Sequence, residues 1–336
     1  MNNFKQNWIL YAIVIGLFLV ITSEVIDAIN APKKEIPSVA NEGWTAPSLY
    51  LDRTLEGEER ELIIYGEELI ANTAKYLGPN GSVAHISNGM NCQNCHLNAG
   101  RKTWGNNYGA VAANYPKFRD RSGSIETVYK RVSDCMERSL NGSALDSNTR
   151  EMKAMIAYIK WVGHEVVKDS TPKGSGIKPP EYLDRAASPD KGLVVYTAKC
   201  QSCHGANGEG QLAADGRSYT YPPLWGEHSY NNGAGLFRLS RFAGYVRDNM
   251  PFNQASHKNP ALTDEECWDV AAFVNSRPRP SKDLSKDWPN ISKKPIDHPF
   301  GPYTDGFTEA EHKFGPFPPI IEARKKQEKA KTIAKS

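Results

Sequence analysis

Two pentapeptides could do chemistry: Cys92-Gln93-Asn94-Cys95-His96 and Cys200-Gln201-Ser202-Cys203-His204. Two thiols at this spacing reach two carbons on one edge of a haem, and the histidine that follows turns under the ring to ligate iron. A bare C-x-x-C also fits a redox dithiol or half of a zinc site. The adjacent histidine, the repetition of the whole motif and the lack of other zinc-like pairs select haem. Two covalently bound haem c groups, each with its iron, are therefore the expected cofactors, held by Cys92, Cys95 and His96 and by Cys200, Cys203 and His204.

The second unit reads as a small class I cytochrome c. Gly192 and Tyr196 precede its motif, and Gly205, Gly208 and Gly210 follow. Tyr221-Pro222-Pro223-Leu224-Trp225-Gly226 lies where such domains offer a backbone carbonyl to the ligand histidine, a bond that fixes the ring's tautomer and orientation. Asn249-Met250-Pro251 supplies the opposite ligand, Met250. A thioether raises haem potential, which makes this haem the electron exit.

The first unit has no Met-Pro. Its candidate opposite ligands are the neighbours Cys135 and Met136. A thiolate would lower the potential and set a reactive sulfur beside iron, whereas Met136 would give an ordinary carrier. Six cysteines less four on haem leave Cys135 and Cys267, which an oxidising compartment could join as a disulfide. Cys267 shares a helical face with Val270, Phe273 and Val274 and reads instead as a small buried hydrophobe. His85, His164, His228, His257, His298 and His312 lack ligand-like spacing and read as structural or exposed.

The elements that must hold these groups are helical, giving a mainly α chain with two class I cytochrome c-like domains in tandem. Apolar spacing predicts helices over 58–76 and 152–166 around the first motif, and over 189–199 and 263–275 around the second. Thr263-Asp264-Glu265-Glu266 has the cap and acidic first turn of a helix start. The expected organisation is an N-terminal anchor or signal segment at 1–30, a first domain at 31–167 and a Pro-, Gly- and Ser-rich linker at 168–188. A second domain at 189–280, a Pro-rich C-terminal extension at 281–320 and a solvated, disordered basic tail at 321–336 follow.

A formal charge of +3 over 336 residues, with no basic run interleaved with aromatics, argues against nucleic-acid binding. Trp8 to Thr22 run apolar after Lys5, a length between a signal core and a comfortable membrane span. No small-x-small cleavage site follows, which favours an uncleaved anchor. Either way the bulk of the chain is expected on the periplasmic side of a bacterial inner membrane, where c-type haem is attached.

Longer patterns then carry a resemblance. Asn91-Cys92-x-x-Cys95-His96-Leu97-x-x-Gly100, Ala113-x-Tyr115-Pro116-x-Phe118-Arg119-x-Arg121 and Arg131-x-x-x-Cys135-x-x-Arg138-Ser139-x-Asn141-Gly142 resemble the diheme thiosulfate dehydrogenases. The likeness continues through Trp268 to Asn275 and on to His312-Lys313-Phe314-Gly315-Pro316. It implies oxidation of two thiosulfate ions to tetrathionate, or the reverse, with His96 and Cys135 on the first iron and His204 and Met250 on the second. Electrons would leave to a soluble or membrane-bound acceptor such as another cytochrome.

From the same motifs Arg121 and Arg131 are expected to hold the anions, and Cys135 to take up sulfur covalently. Two dianions about 4 Å apart repel by roughly 16 kcal/mol at an effective dielectric of 20, so such a site needs cations. The bland alternative is that these arginines clamp haem propionates or face solvent, more so for Arg119, Arg101 and Lys102. Some relatives place a lysine before the ligand methionine, where this chain has Asn249. The rival function is a non-catalytic diheme electron carrier.

Overall fold

In a computed structural model, described for residues 44–49 and 51–333, two helical domains are followed by a C-terminal extension that packs back on them. The expected N-terminal segment at 1–30 lies outside the described residues. None of the described helices is long and apolar enough to cross a membrane.

The first domain is framed by α1 (Gly57–Ala71) and α3 (Arg150–Val162). Glu58 and Glu59 stand in the first turn of α1, where carboxylates complement the helix dipole, and Ile63, Gly66, Leu69 and Ile70 face inward. The Thr149 hydroxyl caps α3 by accepting from the Met152 N–H at 3.2 Å, and Met152, Met155, Ile159 and Val162 form the buried stripe. The helices cross at Gly66, where a Cβ would come within 2.1 Å of the Ala154 carbonyl oxygen.

The second domain repeats this device. Its α4 (Pro189–Lys199) and α6 (Asp264–Ser276) cross at Gly192, where a Cβ would meet the Asp269 carbonyl oxygen at 1.9 Å. Pro189 occupies the first turn of α4 behind the Ser188 cap, and α6 opens with a capping box between Thr263 and Glu266. Tyr196 packs against Trp225 and Phe273, with ring centroids 5.1 and 5.2 Å away.

Between the framing helices, each domain inserts the elements that carry its chemistry. In the first domain these are a small hairpin, β1 (Lys117–Arg119) paired antiparallel with β2 (Ser124–Glu126), and then α2 (Val128–Arg138), capped by Thr127. In the second, α5 (Leu239–Asn249) ends at Met250.

Two expectations need correction. The helix expected over 58–76 breaks at Asn72 and resumes as a short helix, Thr73–Leu77, because the bend frees Thr73 and Ala74 to bond the first motif. The described part of the Lys-rich tail expected to be disordered, up to Ile333, belongs to α7 (Phe317–Ile333). Its Ala, Glu, Lys and Arg residues are strong helix formers, and Phe317 and Ile320 are buried in the second domain's core. Arg324 ties the helix back by donating to Asp305 at 2.7 Å.

Gly192→Ala should therefore force α4 and α6 apart and destabilise the second domain by ~1–3 kcal/mol, the usual cost of overpacking. Denaturant unfolding followed by far-ultraviolet circular dichroism measures it.

Candidate functional site

The first attachment motif is held by the end of α1 and the short helix that follows it. The Asn91 carboxamide oxygen accepts from the Ala74 N–H at 2.8 Å, and the Asn94 oxygen accepts from the Asn91 N–H at 2.7 Å. The Cys92 N–H donates to the Thr73 hydroxyl at 3.0 Å, and the Gln93 carboxamide donates to the Ala71 carbonyl at 2.7 Å. His96 places Nδ1 2.5 Å from the Asn106 carbonyl oxygen, so Nδ1 carries the proton and Nε2 is free to bind a metal. Sequence reasoning found no such carbonyl for this histidine, since Asn106 lies in a loop without the Pro-rich signature of the second domain.

Cys92, Cys95 and His96 line a cavity of about 390 Å³, and Cys135 lines it too. Of the two adjacent sulfurs in α2, the Cys135 thiol interacts with the His96 ring, while Met136, 1% exposed, belongs to the domain core. Successive helical residues point about 100° apart, so the two sulfurs cannot share one direction. Arg131 precedes Cys135 by one turn on the same face. Burial works to raise the Cys135 thiol, but the positive charge of Arg131, the His96 ring and Arg121 outweigh it and bring it down to about 7. Cys92 and Cys95, without such neighbours, are pushed by burial up to about 12.

The cavity is not closed by the first domain alone. Arg238, which precedes α5, Arg241 within it, and Leu284, Asp287, Trp288, His298 and Pro299 of the extension complete its wall. The extension is fastened where α2 ends. Arg138 donates to both carboxylate oxygens of Asp287, at 2.7 and 2.8 Å, and the Trp288 N–H donates to the Arg121 carbonyl at 2.7 Å. Asn231 of the second domain donates to the Glu137 carbonyl at 2.8 Å and to the Asn141 side chain at 2.9 Å.

The expected arginines both face the cavity, but differ in their partners. Arg121 is paired with Asp134, and Arg131 has no carboxylate at ion-pair distance among the described residues. Arg119 also lines the cavity, 3.8 Å from the fully buried carboxylate of Glu126. Arg101 and Lys102 do not; Arg101 pairs with Glu67 at 2.6 Å and Lys102 lies over the Phe252 ring. His298, expected to be structural or exposed, is buried in the cavity wall, and burial depresses its imidazole to about 4, leaving it neutral. Nothing in the spacing of Arg238, Arg241, Trp288 or His298 pointed here, because they lie more than 100 residues from the first motif.

At the second motif, His204 places Nδ1 2.9 Å from the Pro222 carbonyl oxygen, which leaves Nε2 for a metal. The Leu224 N–H donates to the Gly208 carbonyl at 2.8 Å, and Trp225 covers Gly208, where a Cβ would strike the indole at 2.3 Å. Met250 packs against the second core and against a cluster of Leu97, Ile177 and Tyr245 that reaches the first domain. Asn249 is fully buried and donates to the Trp104 carbonyl at 3.1 Å. Cys267 is a buried free thiol, raised to about 12 by its burial.

Both motifs fit a covalently attached haem. Each has two thiols two residues apart in one turn of chain and a histidine whose Nδ1 is already held by a backbone carbonyl. The first site adds a buried indole N–H, that of Trp288, with no acceptor on the protein.

Residues 82–166 match the family model described as SoxA/TsdA, cytochrome c domain, and residues 189–278 match the one described as Cytochrome c. A thiosulfate dehydrogenase of Allochromatium vinosum is 36% identical over 254 residues, covering 74% of this chain and 88% of that protein. One of Psychrobacter arcticus is 38% identical over 209 residues, covering 61% of this chain and 62% of that protein. A solved thiosulfate dehydrogenase (TsdBA) of Marichromatium purpuratum aligns with a TM-score of 0.64 at 29% identity, over 75% of this chain and 51% of that one. The chain thus spans less than two thirds of the length of two of these relatives. Two cytochrome c domains in tandem carry two covalently bound haem c groups.

Asp287→Ala should leave Arg138 buried without its counter-charge and cost ~3–5 kcal/mol, as removal of one partner of a buried pair does. Thermal unfolding of the haem-loaded protein, compared with wild type, reads that loss.

Proposed function

The chain belongs to the thiosulfate dehydrogenase family, and from that premise we propose that it joins two thiosulfate ions into tetrathionate at the first haem site and exports the electrons through the second. The observation that carries this reading is the Cys135 thiol facing His96 in a cavity walled by arginines, with Arg131 one turn away. His96 and Cys135 would hold the first iron, and His204 and Met250 the second. The haems, when bound, accept the two electrons one at a time and pass them to an external acceptor such as another cytochrome.

The chain's own residues do the rest. Arg131 presents its guanidinium to a sulfonate, a geometry suited to planar, charge-assisted bonding. Its charge also favours the anionic form of Cys135. The Cys135 thiolate and the terminal sulfur of the first thiosulfate form an S–S bond as two electrons leave; three negative charges become one on the adduct. The terminal sulfur of a second thiosulfate then attacks the adduct sulfur that bears the sulfonate. Cys135 leaves as thiolate and tetrathionate is released. Neither step consumes or yields a proton when the thiolate is the starting form, so no general base is required. Dividing the reaction at a covalent adduct replaces one encounter of two dianions with two easier steps.

A plain electron carrier would use such an arginine only to clamp a haem propionate; the Cys135 thiol one turn from Arg131 favours the enzyme reading. The apolar N-terminal run and the chemistry of haem attachment support a location on the periplasmic side of the membrane, with the N-terminal segment as anchor or leader.

Cys135→Gly should retain both haems, as measured by intact mass, and lose thiosulfate-dependent reduction and tetrathionate formation altogether. Retained turnover would remove Cys135 from the reaction. Electron paramagnetic resonance of the oxidised wild-type protein should show one low-spin centre with thiolate character; nitrogen or thioether ligation at both irons would contradict the assigned ligand set.

A further inference from the structure

Five arginines face the cavity at the first site, and their partners divide them. Arg119 has Glu126, Arg121 has Asp134, and Arg238 donates to Asp297 at 2.8 and 2.5 Å. Arg131 and Arg241 have no carboxylate at ion-pair distance among the described residues. Arg241 donates to the Ile177 carbonyl, and burial together with the neighbouring Arg238 holds its guanidinium below the ordinary value. Arg131 comes from α2 of the first domain and Arg241 from α5 of the second.

A cation in a partly desolvated cavity without a counter-charge is costly, and an incoming anion relieves that cost. A second observation points the same way. The buried Trp288 indole N–H has no acceptor, lines the same cavity, and sits 5.9 Å, ring to ring, from His298 in the wall built by the extension. The cavity therefore offers acceptor oxygens a charged donor, Arg241, and a neutral donor, the Trp288 indole N–H. Two ligands carry such oxygens: a haem carboxylate and a thiosulfate sulfonate.

The reaction favours the sulfonate. In the proposed reaction the second thiosulfate, a dianion, must approach a Cys135 adduct that still carries a sulfonate charge already served by Arg131, so it needs a cation of its own. We propose that Arg241 is the anchor of the second thiosulfate, facing the first one held by Arg131 at Cys135, so that the substrate site is shared between the two cytochrome domains. This rests on the proposed function and adds to it the origin of the second subsite.

The test uses the haem-loaded protein with Arg241→Ala and Arg241→Lys. In R241A the thiosulfate concentration for half-maximal tetrathionate formation should rise about ten- to hundredfold, the value of a charge-assisted hydrogen bond. R241K, which keeps the charge and loses the planar fork, should fall between R241A and wild type. Intact-mass measurement should still find one thiosulfate adduct on Cys135 in both variants. If R241A does not fold, R241K alone carries the same comparison.

Wild-type thiosulfate dependence in the variants overturns the second subsite; if the midpoint potential of the first haem is then displaced, the guanidinium serves the haem carboxylates. Loss of the Cys135 adduct also overturns it, by placing Arg241 with the first ion. Absence of both adduct and tetrathionate in the wild type would instead sink the proposed function, a result distinct from either.

Discussion

The bidentate ion pair between Arg138 and Asp287 is where three separate stretches of chain become one site. Arg138 ends α2, the helix that carries Arg131 and Cys135, and Asp287 belongs to the extension that closes the cavity. The same guanidinium reaches the Gly233 carbonyl of the second domain at 3.4 Å. The pair is nearly buried, with side chains 10% and 12% exposed, so its attraction is little screened and its disruption strands a charge. The neighbouring contacts, Trp288 to the Arg121 carbonyl and Asn231 to Glu137 and Asn141, reinforce that junction. The C-terminal extension is thereby part of the first site's wall.

The electrostatics of the cavity follow from the register of one helix. Arg131 and Cys135 share a face of α2 because they are four residues apart, which sets a guanidinium beside a sulfur. Asp134, turned away from Cys135 by one position, pairs with Arg121 and Lys130 instead. Met136 borders the same cavity but packs in the domain core, whereas the Cys135 thiol is the sulfur beside His96.

The two haem sites are also joined directly. The Tyr245 hydroxyl of α5 donates to the Asn94 carbonyl inside the first attachment motif at 3.0 Å, and Met250 follows at the end of the same helix. Tyr245, Leu97 and Met250 pack in one cluster, so the residue after His96 and the ligand proposed for the second iron touch a common apolar body. Asn249 helps to hold this junction by donating to the Trp104 carbonyl.

The sequence by itself determined what depends on residues close together in the chain. The C-x-x-C-H spacing, the Thr263 cap and the carbonyl at Pro222 are short-range geometry, and the structure places each as its neighbours require. Tertiary structure decided the phase of α2, the carbonyl partner of His96, the helix in the Lys-rich tail, and the contribution of Arg238, Arg241, Trp288 and His298 to the first cavity. Those residues are brought there by burial and charge pairing between segments more than 100 positions apart, and the spacing of residues along a chain does not encode which distant surface will cover them.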